Sequence, residues 1–215
     1  MGRIDDLIQQ YCPEGVEYVR LGEVCDRITD GSHNPPTGVI HSEYKMISSQ
    51  NIFNDKLIIN DNNVRYLSEA DHIKENKRSD VKVGNLLLTI VGTIGRCYVV
   101  KEEDLPFTCQ RSVAIIKPKS DIINSTFLKH YLIMIVKKLD SQANGAAQKG
   151  LYLKQIANIQ IPLPPLPIQE AIVEILDKFD RLSAELQAEL QAELQARKQQ
   201  YEYYRNQLLT FKTKK

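Results

Sequence analysis

The C-terminal stretch Pro162–Phe211, PLPPLPIQEAIVEILDKFDRLSAELQAELQAELQARKQQYEYYRNQLLTF, decides the fold. After its prolines, apolar residues recur mostly at intervals of three and four, which places them on one stripe of an α-helix. Residues 168–211 would form a rod about 66 Å long, since an α-helix rises about 1.5 Å per residue. An amphipathic helix of this length needs a partner, so the pattern predicts a coiled coil. We assign its dimer stripe to Ile172, Ile175, Phe179, Leu182, Leu186, Leu190, Leu194, Tyr201, Tyr204 and Leu208.

Charge is divided unevenly along this helix. Glu170–Glu193 carries seven acidic and two basic side chains, whereas Arg197–Lys215 carries six basic and one acidic. Two antiparallel copies would set each acidic half against a basic half, and we therefore predict an antiparallel homodimer. The alternative explanation is that any helix favours acidic residues early and basic residues late because of its own dipole.

The tetrapeptide Glu-Leu-Gln-Ala occurs three times in succession in residues 185–196. One repeat more or fewer would change the rod by about 6 Å and rotate the apolar stripe by about 40°. Our hypothesis is that the helix is a spacer whose length is set by the number of repeats. The alternative is that the repeat is simply good helix-forming sequence.

Composition sets bounds on the remainder. A chain of 215 residues with 42% hydrophobic content has room for one cored domain and this rod. We place the domain at residues 1–161 and the proline connector with the long helix at residues 162–215, because proline blocks both helix continuation and strand pairing. The net charge of +1 gives no overall signal for nucleic acid.

The four cysteines show neither CxxC spacing nor histidines at zinc-ligand intervals. We interpret them as reduced thiols of a cytoplasmic protein. The N-terminus does not resemble a signal peptide, and no apolar run approaches the roughly 20 residues of a membrane span. We therefore predict a soluble protein without a membrane partner.

The globular part mixes both kinds of secondary structure, so the sequence predicts an α+β fold. Residues 4–11 and 124–139 have helical patterns, and Val83–Val100 resembles two apolar strands joined at Gly92–Gly95. Glycines in that turn allow either a tight hairpin or a close approach of the backbone to a phosphate. The hairpin is the simpler explanation, because it requires no ligand. Glu69–Asp80 is a charged run, which is usually a solvated face.

Three stretches have residue types that suit nucleic acid. Thr29–Thr37 is a polar loop whose side chains suit phosphates or base edges, although a plain surface loop explains it equally. Gln110 and Arg111 can each make bidentate contacts to purine edges. Lys129–Lys154 holds five lysines and one acid, and local basic density neutralises phosphates whatever the total charge.

Two catalytic arrangements are incomplete. Asn34-Pro35-Pro36 resembles the tetrapeptide with which adenine methyltransferases hold their target base, but Thr37 stands where an aromatic residue must stack. Asp30 with Glu43-Tyr44-Lys45 can be drawn as a metal-dependent nuclease set. No glycine-rich loop for S-adenosylmethionine precedes Asn34, and no Walker A sequence is present.

Taken together and in this order, several motifs resemble the specificity subunits of type I restriction-modification systems. The motif with the most specific signal is IPLPPLPIQ at Ile161–Gln169, leading into IVEILD at Ile172–Asp177. The others are CPEGVEY at Cys12–Tyr18, LGEV at Leu21–Val24, TDGSH at Thr29–His33, GNLLL at Gly84–Leu88 and VGTIG at Val91–Gly95.

The resemblance implies a target-recognition domain that reads half of a split sequence in double-stranded DNA, followed by a long helix. Family members usually carry two such domains and two helices, whereas this chain has one of each, which agrees with a homodimer. The resemblance also implies a non-catalytic subunit without a cofactor of its own. S-adenosylmethionine would belong to partner modification subunits, and ATP and Mg²⁺ to restriction subunits if these are present.

On this reading, DNA contacts come from polar and basic side chains in the loops named above and in similar turns. The predicted DNA-binding residues are Ser32, His33, Asn34, Gln50, Asn51, Lys77, Arg78, Thr93, Arg96, Gln110, Arg111, Gln148 and Lys149. Two other interpretations stay open at this point. One is a stand-alone methyltransferase or nuclease, and the other is a coiled-coil interaction module without a DNA role.

Overall fold

The structure, a computed structural model, describes residues 3–142 and 150–211. The chain divides into two compact units, Met1–Val173 and Glu174–Lys215. The first unit mixes helices and strands, and one long helix follows, so the predicted α+β class is confirmed. The division falls inside the long helix, whose first turns belong to the globular unit.

The first unit contains short elements joined by long loops. Its strands and helices are, in chain order, α1 (Arg3–Tyr11), β1 (Tyr18–Arg20), β2 (Cys25–Asp30), β3 (Lys45–Ile47), β4 (Ile52–Phe53), β5 (Lys56–Leu57), β6 (Arg65–Tyr66), α2 (Glu69–Ser79), β7 (Leu86–Thr89), β8 (Cys97–Val99), β9 (Phe107–Cys109), β10 (Val113–Pro118), α3 (Ser125–Met134), α4 (Val136–Gln142), α5 (Leu153–Ala157) and β11 (Gln160–Pro162). The last helix, α6, spans Leu166–Leu209.

The main sheet has four antiparallel strands in the order β2-β10-β7-β8. Successive residues of a strand point to opposite faces, and here both faces are covered. Leu86 and Leu88 belong to one hydrophobic core, while Leu87 belongs to a second core on the other face. Burial on both sides explains why β7 (LLLT) and the first four residues of β10 (VAII) are apolar runs without alternation, whereas β2 at the edge of the sheet exposes Asp26 and Arg27.

Smaller sheets surround the main one. Three strands in the order β6-β3-β9 form the second sheet, in which β3 and β9 run parallel. Strands β4 and β5 form a tight hairpin through Asn54 and Asp55, both with positive φ. Strands β1 and β11 pair at Tyr18↔Pro162, so the start and the end of the domain are joined.

Two predictions about local elements had different outcomes. Strands β7 and β8 pair in antiparallel fashion around the Gly92–Gly95 turn, so the hairpin is confirmed. The single helix predicted for residues 124–139 is wrong in detail, because the structure has two helices that meet at Ile135. β-Branched residues favour helix weakly, and Val136 packs so closely on Gly95 that a Cβ there would lie 2.1 Å from its Cγ2.

Helix α6 is 44 residues long, which confirms the long C-terminal helix. Pro167 lies in its first turn, where a missing amide hydrogen is tolerated. Gln169 is fully buried, and its Oε1 accepts from the Asn124 amide at 2.8 Å. Its Nε2 donates to the carbonyls of Ile122 and Pro164 at 3.1 and 2.7 Å. This glutamine fixes the start of the helix to the globular domain.

The predicted dimer stripe divides between two environments. Ile172 packs against the core of the globular unit, so this residue was assigned to the wrong surface. In the second unit the remaining members are exposed, from 38% for Ile175 to 72% for Leu208. Among the helices of residues 3–142 and 150–211, none combines the length and apolarity of a membrane span.

Candidate functional site

The loop after β2 is attached to the turn between β9 and β10. The Ser32 amide donates to the Cys109 carbonyl at 2.8 Å, and the Arg111 amide donates to the Ser32 carbonyl at 2.9 Å. Ser32 and Gln110 thereby form an isolated parallel β-bridge. Two predicted groups of DNA-binding residues, distant in sequence, therefore lie side by side, with His33, Asn34 and Arg111 exposed and Ser32 buried at 7%. We call loop 31–34 together with turn 110–111 the clamped loops.

Gly31 allows this close approach. A Cβ at this position would lie 2.0 Å from the Cys109 carbonyl oxygen and 2.2 Å from its carbon. Both atoms are backbone, so they cannot move aside as a flexible side chain would. The glycine in the motif TDGSH is therefore required by packing between the two loops.

Asp30, the last residue of β2, links the clamped loops to helix α2. Its Oδ2 lies 2.5 Å from His33 Nε2, and its Oδ1 accepts from Arg78 Nη2 at 2.6 Å. The Asp30 side chain is 10% exposed, whereas those of His33 and Arg78 are 50% and 51% exposed. Two exposed predicted residues are thus held by one buried carboxylate.

Helix α2 presents Arg78 near its C-terminus. Ser68 caps its start by accepting from the Asp71 amide, and Asp80 ends it in the left-handed conformation. Lys117, followed by Lys82, holds the pKa of Asp80 below its usual value, with desolvation opposing them. Lys77 lies beside Arg78, and both residues are exposed.

His72 on α2 packs inward, in contrast to these cations. Its ring stacks on Tyr44 at 4.6 Å between centroids, and burial lowers the pKa of His72. The imidazole is therefore neutral near pH 7. Within the part of the chain that the structure describes, its Nδ1 has no hydrogen-bond partner.

The turn at residues 48–51 lies against the clamped loops. The Ser49 amide donates to Ser112 Oγ at 3.0 Å, and the Gln110 amide donates to the Ile47 carbonyl at 2.8 Å. Gln50 is exposed there. The turn therefore adds a predicted DNA-binding residue to the same region.

Asn51 has a different role from the predicted one. It is fully buried, and its Oδ1 accepts from the Ser48 amide at 2.8 Å. Its Nδ2 donates to the Ile58 carbonyl and to Asn63 at 3.0–3.1 Å. Because every polar atom of the amide is satisfied within the protein, Asn51 shapes this loop and is not available to a base edge.

Arg96 and Thr93 belong to the β7–β8 hairpin. The guanidinium of Arg96 donates to the Ile52 carbonyl at 3.1 Å and lies 4.9 Å above the centre of the Phe53 ring. These contacts join it to β4 and not to the clamped loops. Thr93 is exposed at the turn. Gln148 and Lys149 lie outside the described residues.

Two residues that the sequence did not mark as DNA contacts support the site. The sequence indicates Asp30 only as a possible metal ligand, and it gives no signal for Arg65. Arg65 Nη1 donates to the Pro36 carbonyl at 2.9 Å, which fixes the far side of the first loop. The only sequence signal for Asp30 is its place in TDGSH, directly before the required glycine.

The same contacts argue against the nuclease arrangement. Each Asp30 oxygen already has a donor from His33 or Arg78, so the oxygens that a metal would need are occupied. In residues 3–142 and 150–211, neither Asp30 nor Glu43 belongs to a group of three possible metal ligands.

The fold itself has solved counterparts. One is a chain from work on complex assembly and conformational transition of the type I restriction-modification system, with a TM-score of 0.64, 24% identity and coverage of 90% of this chain and 47% of the other. Another is the HsdS subunit of Thermoanaerobacter tengcongensis, with a TM-score of 0.61, 21% identity and coverage of 86% and 44%. The class of fold is that of these type I subunits.

The sequence identifies the family. The family model described as the type I restriction modification DNA specificity domain matches residues 13–196. The chain belongs to this family, which confirms the resemblance carried by its motifs. It is also 35% identical over 119 residues to the Escherichia coli type I restriction enzyme EcoBI specificity subunit, a match that covers 54% of this chain and 25% of that protein. The chain thus spans about a quarter of that relative.

Proposed function

We propose that this chain reads one half-site of a gapped DNA target as the specificity subunit of a type I restriction-modification complex. The observation that supports this most directly is the attachment of loop 31–34 to turn 110–111 through the backbone of Ser32, which brings His33, Gln110 and Arg111 together, and Asp30 links Arg78 to them. These residue types recognise base edges and phosphates.

Preorganisation is the physical advantage of this surface. The backbones of the clamped loops are fixed by hydrogen bonds, so binding has to order side chains such as those of Asn34, Gln110 and Arg111 and not the backbone. A rigid backbone also aims each donor at one position along the groove. Such a surface can favour one sequence over another, whereas mobile lysines neutralise phosphates of any sequence.

The chemistry would belong to partners. We propose that the chain positions modification subunits, which bind S-adenosylmethionine and methylate adenine, and, where they are present, restriction subunits that use ATP and Mg²⁺. Its contribution is then to select the place on DNA at which those subunits act.

The second unit supports a symmetric arrangement. The apolar stripe from Ile175 to Leu208 is exposed, and the acidic and basic halves of α6 are complementary when two copies run antiparallel. A two-fold dimer would read a palindrome with a gap, because symmetric proteins read symmetric half-sites. The three Glu-Leu-Gln-Ala repeats would set the gap, and one inserted repeat would lengthen it without changing the half-sites.

The test is selection of duplexes from a random library by the full chain co-expressed with the modification subunits of its own host. The expected result is one enriched half-site sequence, present twice in inverted orientation at a fixed spacing. Enrichment of no sequence by a complex that binds duplex DNA would contradict the proposal. Recovery of a single, unrepeated half-site would retain DNA reading and exclude the symmetric dimer.

A further inference from the structure

We propose that Asp30 is a positioning residue for DNA reading, which holds His33 and Arg78 in one fixed orientation and offsets the charge that Arg78 presents to DNA. The proposal rests on the proposed DNA-reading function and deepens it. Asp30 would not itself contact a base. It would decide which atoms of its two neighbours are available to do so.

The geometry is that of one buried acceptor beneath two exposed donors. Asp30 is 7% exposed as a residue, and its two oxygens are divided between the two partners. His33 is three residues away on the same loop, whereas Arg78 comes from α2. A single carboxylate therefore couples the loop to the helix.

The carboxylate is itself firmly held. Asp30 is paired with Ala114 in the register of the main sheet, and the Gly31 amide donates to the Val113 carbonyl at 3.3 Å. Gly31 packs against the backbone of Cys109. Since strand and loop are both fixed, Asp30 has little freedom to follow its partners, and they must adopt the orientation that it sets.

This orientation determines what each side chain can recognise. Asp30 uses one Nη2 donor of Arg78, which leaves the other guanidinium donors for the acceptor atoms of guanine or for phosphate. In the neutral imidazole, a proton on Nε2 directed at Asp30 leaves Nδ1 as an acceptor. An acceptor suits the amino groups of adenine or cytosine.

The charge of Asp30 has a second effect. A carboxylate beside Arg78 reduces the attraction of this region for phosphates in general, which lowers binding to DNA of the wrong sequence. On the right sequence, hydrogen bonds from the oriented donors compensate for the lost attraction. Asp30 would therefore raise discrimination while lowering non-specific affinity.

The test is Asp30→Asn in the full chain, with the modification subunits bound. Binding is measured on a duplex that carries the selected sequence and on one that lacks it, across a range of salt. We expect affinity for the second duplex to rise several-fold and its salt slope to steepen by about one released ion, while the ratio between the duplexes falls by about ten-fold. The selected sequence should lose preference at one or two positions.

Asp121→Asn is the matched control. It makes the same change of charge at a position that follows Pro118, the residue of β10 that pairs with Cys25. Asp30 pairs instead with Ala114, near the other end of β10. The control should leave the ratio between the duplexes unchanged. Equal behaviour of the two variants would show that only net charge matters and would overturn the proposal. A parallel loss of affinity for both duplexes by Asp30→Asn, with a lowered Tm, would reduce Asp30 to a structural role and overturn it as well.

Arg78→Lys keeps the proposal testable if Asp30→Asn does not fold. Arg78 is half exposed, so the domain tolerates lysine, and the positive charge is kept while the planar fork is lost. We expect unchanged affinity for the duplex without the sequence and a ratio lowered by about ten-fold. An unchanged ratio would overturn the proposal. If the wild-type complex itself shows no preference between the duplexes, DNA reading fails, and the role of Asp30 fails with it.

Discussion

The main-chain amide of Arg111 donates a 2.9 Å hydrogen bond to the carbonyl of Ser32. This contact joins the loop that follows β2 to the turn that precedes β10, and both strands belong to the main sheet. It brings together residues that sequence patterns mark separately. The position of one loop therefore depends on the other. A change that separates them should disturb the whole surface, including residues that are not themselves altered.

Gly31→Ala is the smallest such change. The new methyl group would lie 2.0 Å from the Cys109 carbonyl oxygen, so the loops must separate. We expect a loss of about 1–3 kcal/mol in the free energy of unfolding, as in overpacked sites, and a marked loss of sequence discrimination. Urea unfolding and duplex binding measure the two effects.

Gly150→Ala is the control for this substitution. A Cβ at Gly150 would meet its nearest atom at 3.4 Å, which is an ordinary contact. Its effect on unfolding should therefore be small. If both substitutions cost the same free energy, the close approach of Gly31 and Cys109 is not what limits that position.

Arg111 and Lys149 should differ in what they contribute to binding. Arg111→Ala is expected to reduce the preference for the matched duplex by about 1–3 kcal/mol, because arginine reads purine edges. Its effect on non-specific affinity should be smaller. Lys149→Ala should weaken all duplexes about equally and reduce the salt slope by about one. Salt titrations on matched and unmatched duplexes measure both effects, and the same effect from both variants would remove the distinction.

Gln169 should stabilise the junction between the domain and α6. Gln169→Met leaves the Asn124 amide and the carbonyls of Ile122 and Pro164 without their buried partner. We expect a loss of about 2–4 kcal/mol in the free energy of unfolding, measured in urea. Gln191→Met on the exposed part of the same helix is the control and should be nearly neutral. Equal midpoints for the two variants would exclude this role of Gln169.

Leu190 tests the dimer. It is 60% exposed and lies at the middle of the stripe. Leu190→Lys places a charge in the predicted seam, so the dissociation constant of the dimer should rise by roughly 100-fold or more. Light scattering across micromolar concentrations measures it. Ala192→Lys, on the opposite side of the helix, should leave the dimer intact, and a wild-type chain that is monomeric with and without DNA would refute the pairing.

The cysteines should be unreactive in the native protein. All four are buried, and burial raises the pKa of Cys25 to about 12. Because the pKa is raised, the thiol stays protonated at neutral pH and does not form the reactive thiolate. Burial also raises the pKa of Cys97 and Cys109. Iodoacetamide should label these three slowly in buffer and rapidly in guanidinium, and rapid native labelling would contradict the buried positions.

Periodicity predicted the long helix because it depends on local spacing alone. The pattern could not show which partner covers each apolar residue. Ile172 continues the stripe, yet it packs on the globular core, since α6 begins inside that unit. The β7–β8 hairpin was also predictable, because two apolar runs flank a glycine-rich turn and pair with each other.

The site depends on contacts between distant segments, and this limited its prediction. Asn51 has the composition of a DNA contact, but Ile58 and Asn63 from a later loop satisfy its amide. Asp30 gains its role from Arg78, a residue on another element. Sequence patterns identified polar residues near the surface, whereas the tertiary fold decided which of them are exposed.

The most direct test of the central claim is single-molecule sequencing of genomic DNA from the host, with and without the gene for this chain. DNA reading by a symmetric dimer predicts adenine methylation at one gapped, palindromic sequence that disappears when the gene is deleted and returns with the wild-type gene. A methylation pattern that is unchanged by the deletion would contradict the claim.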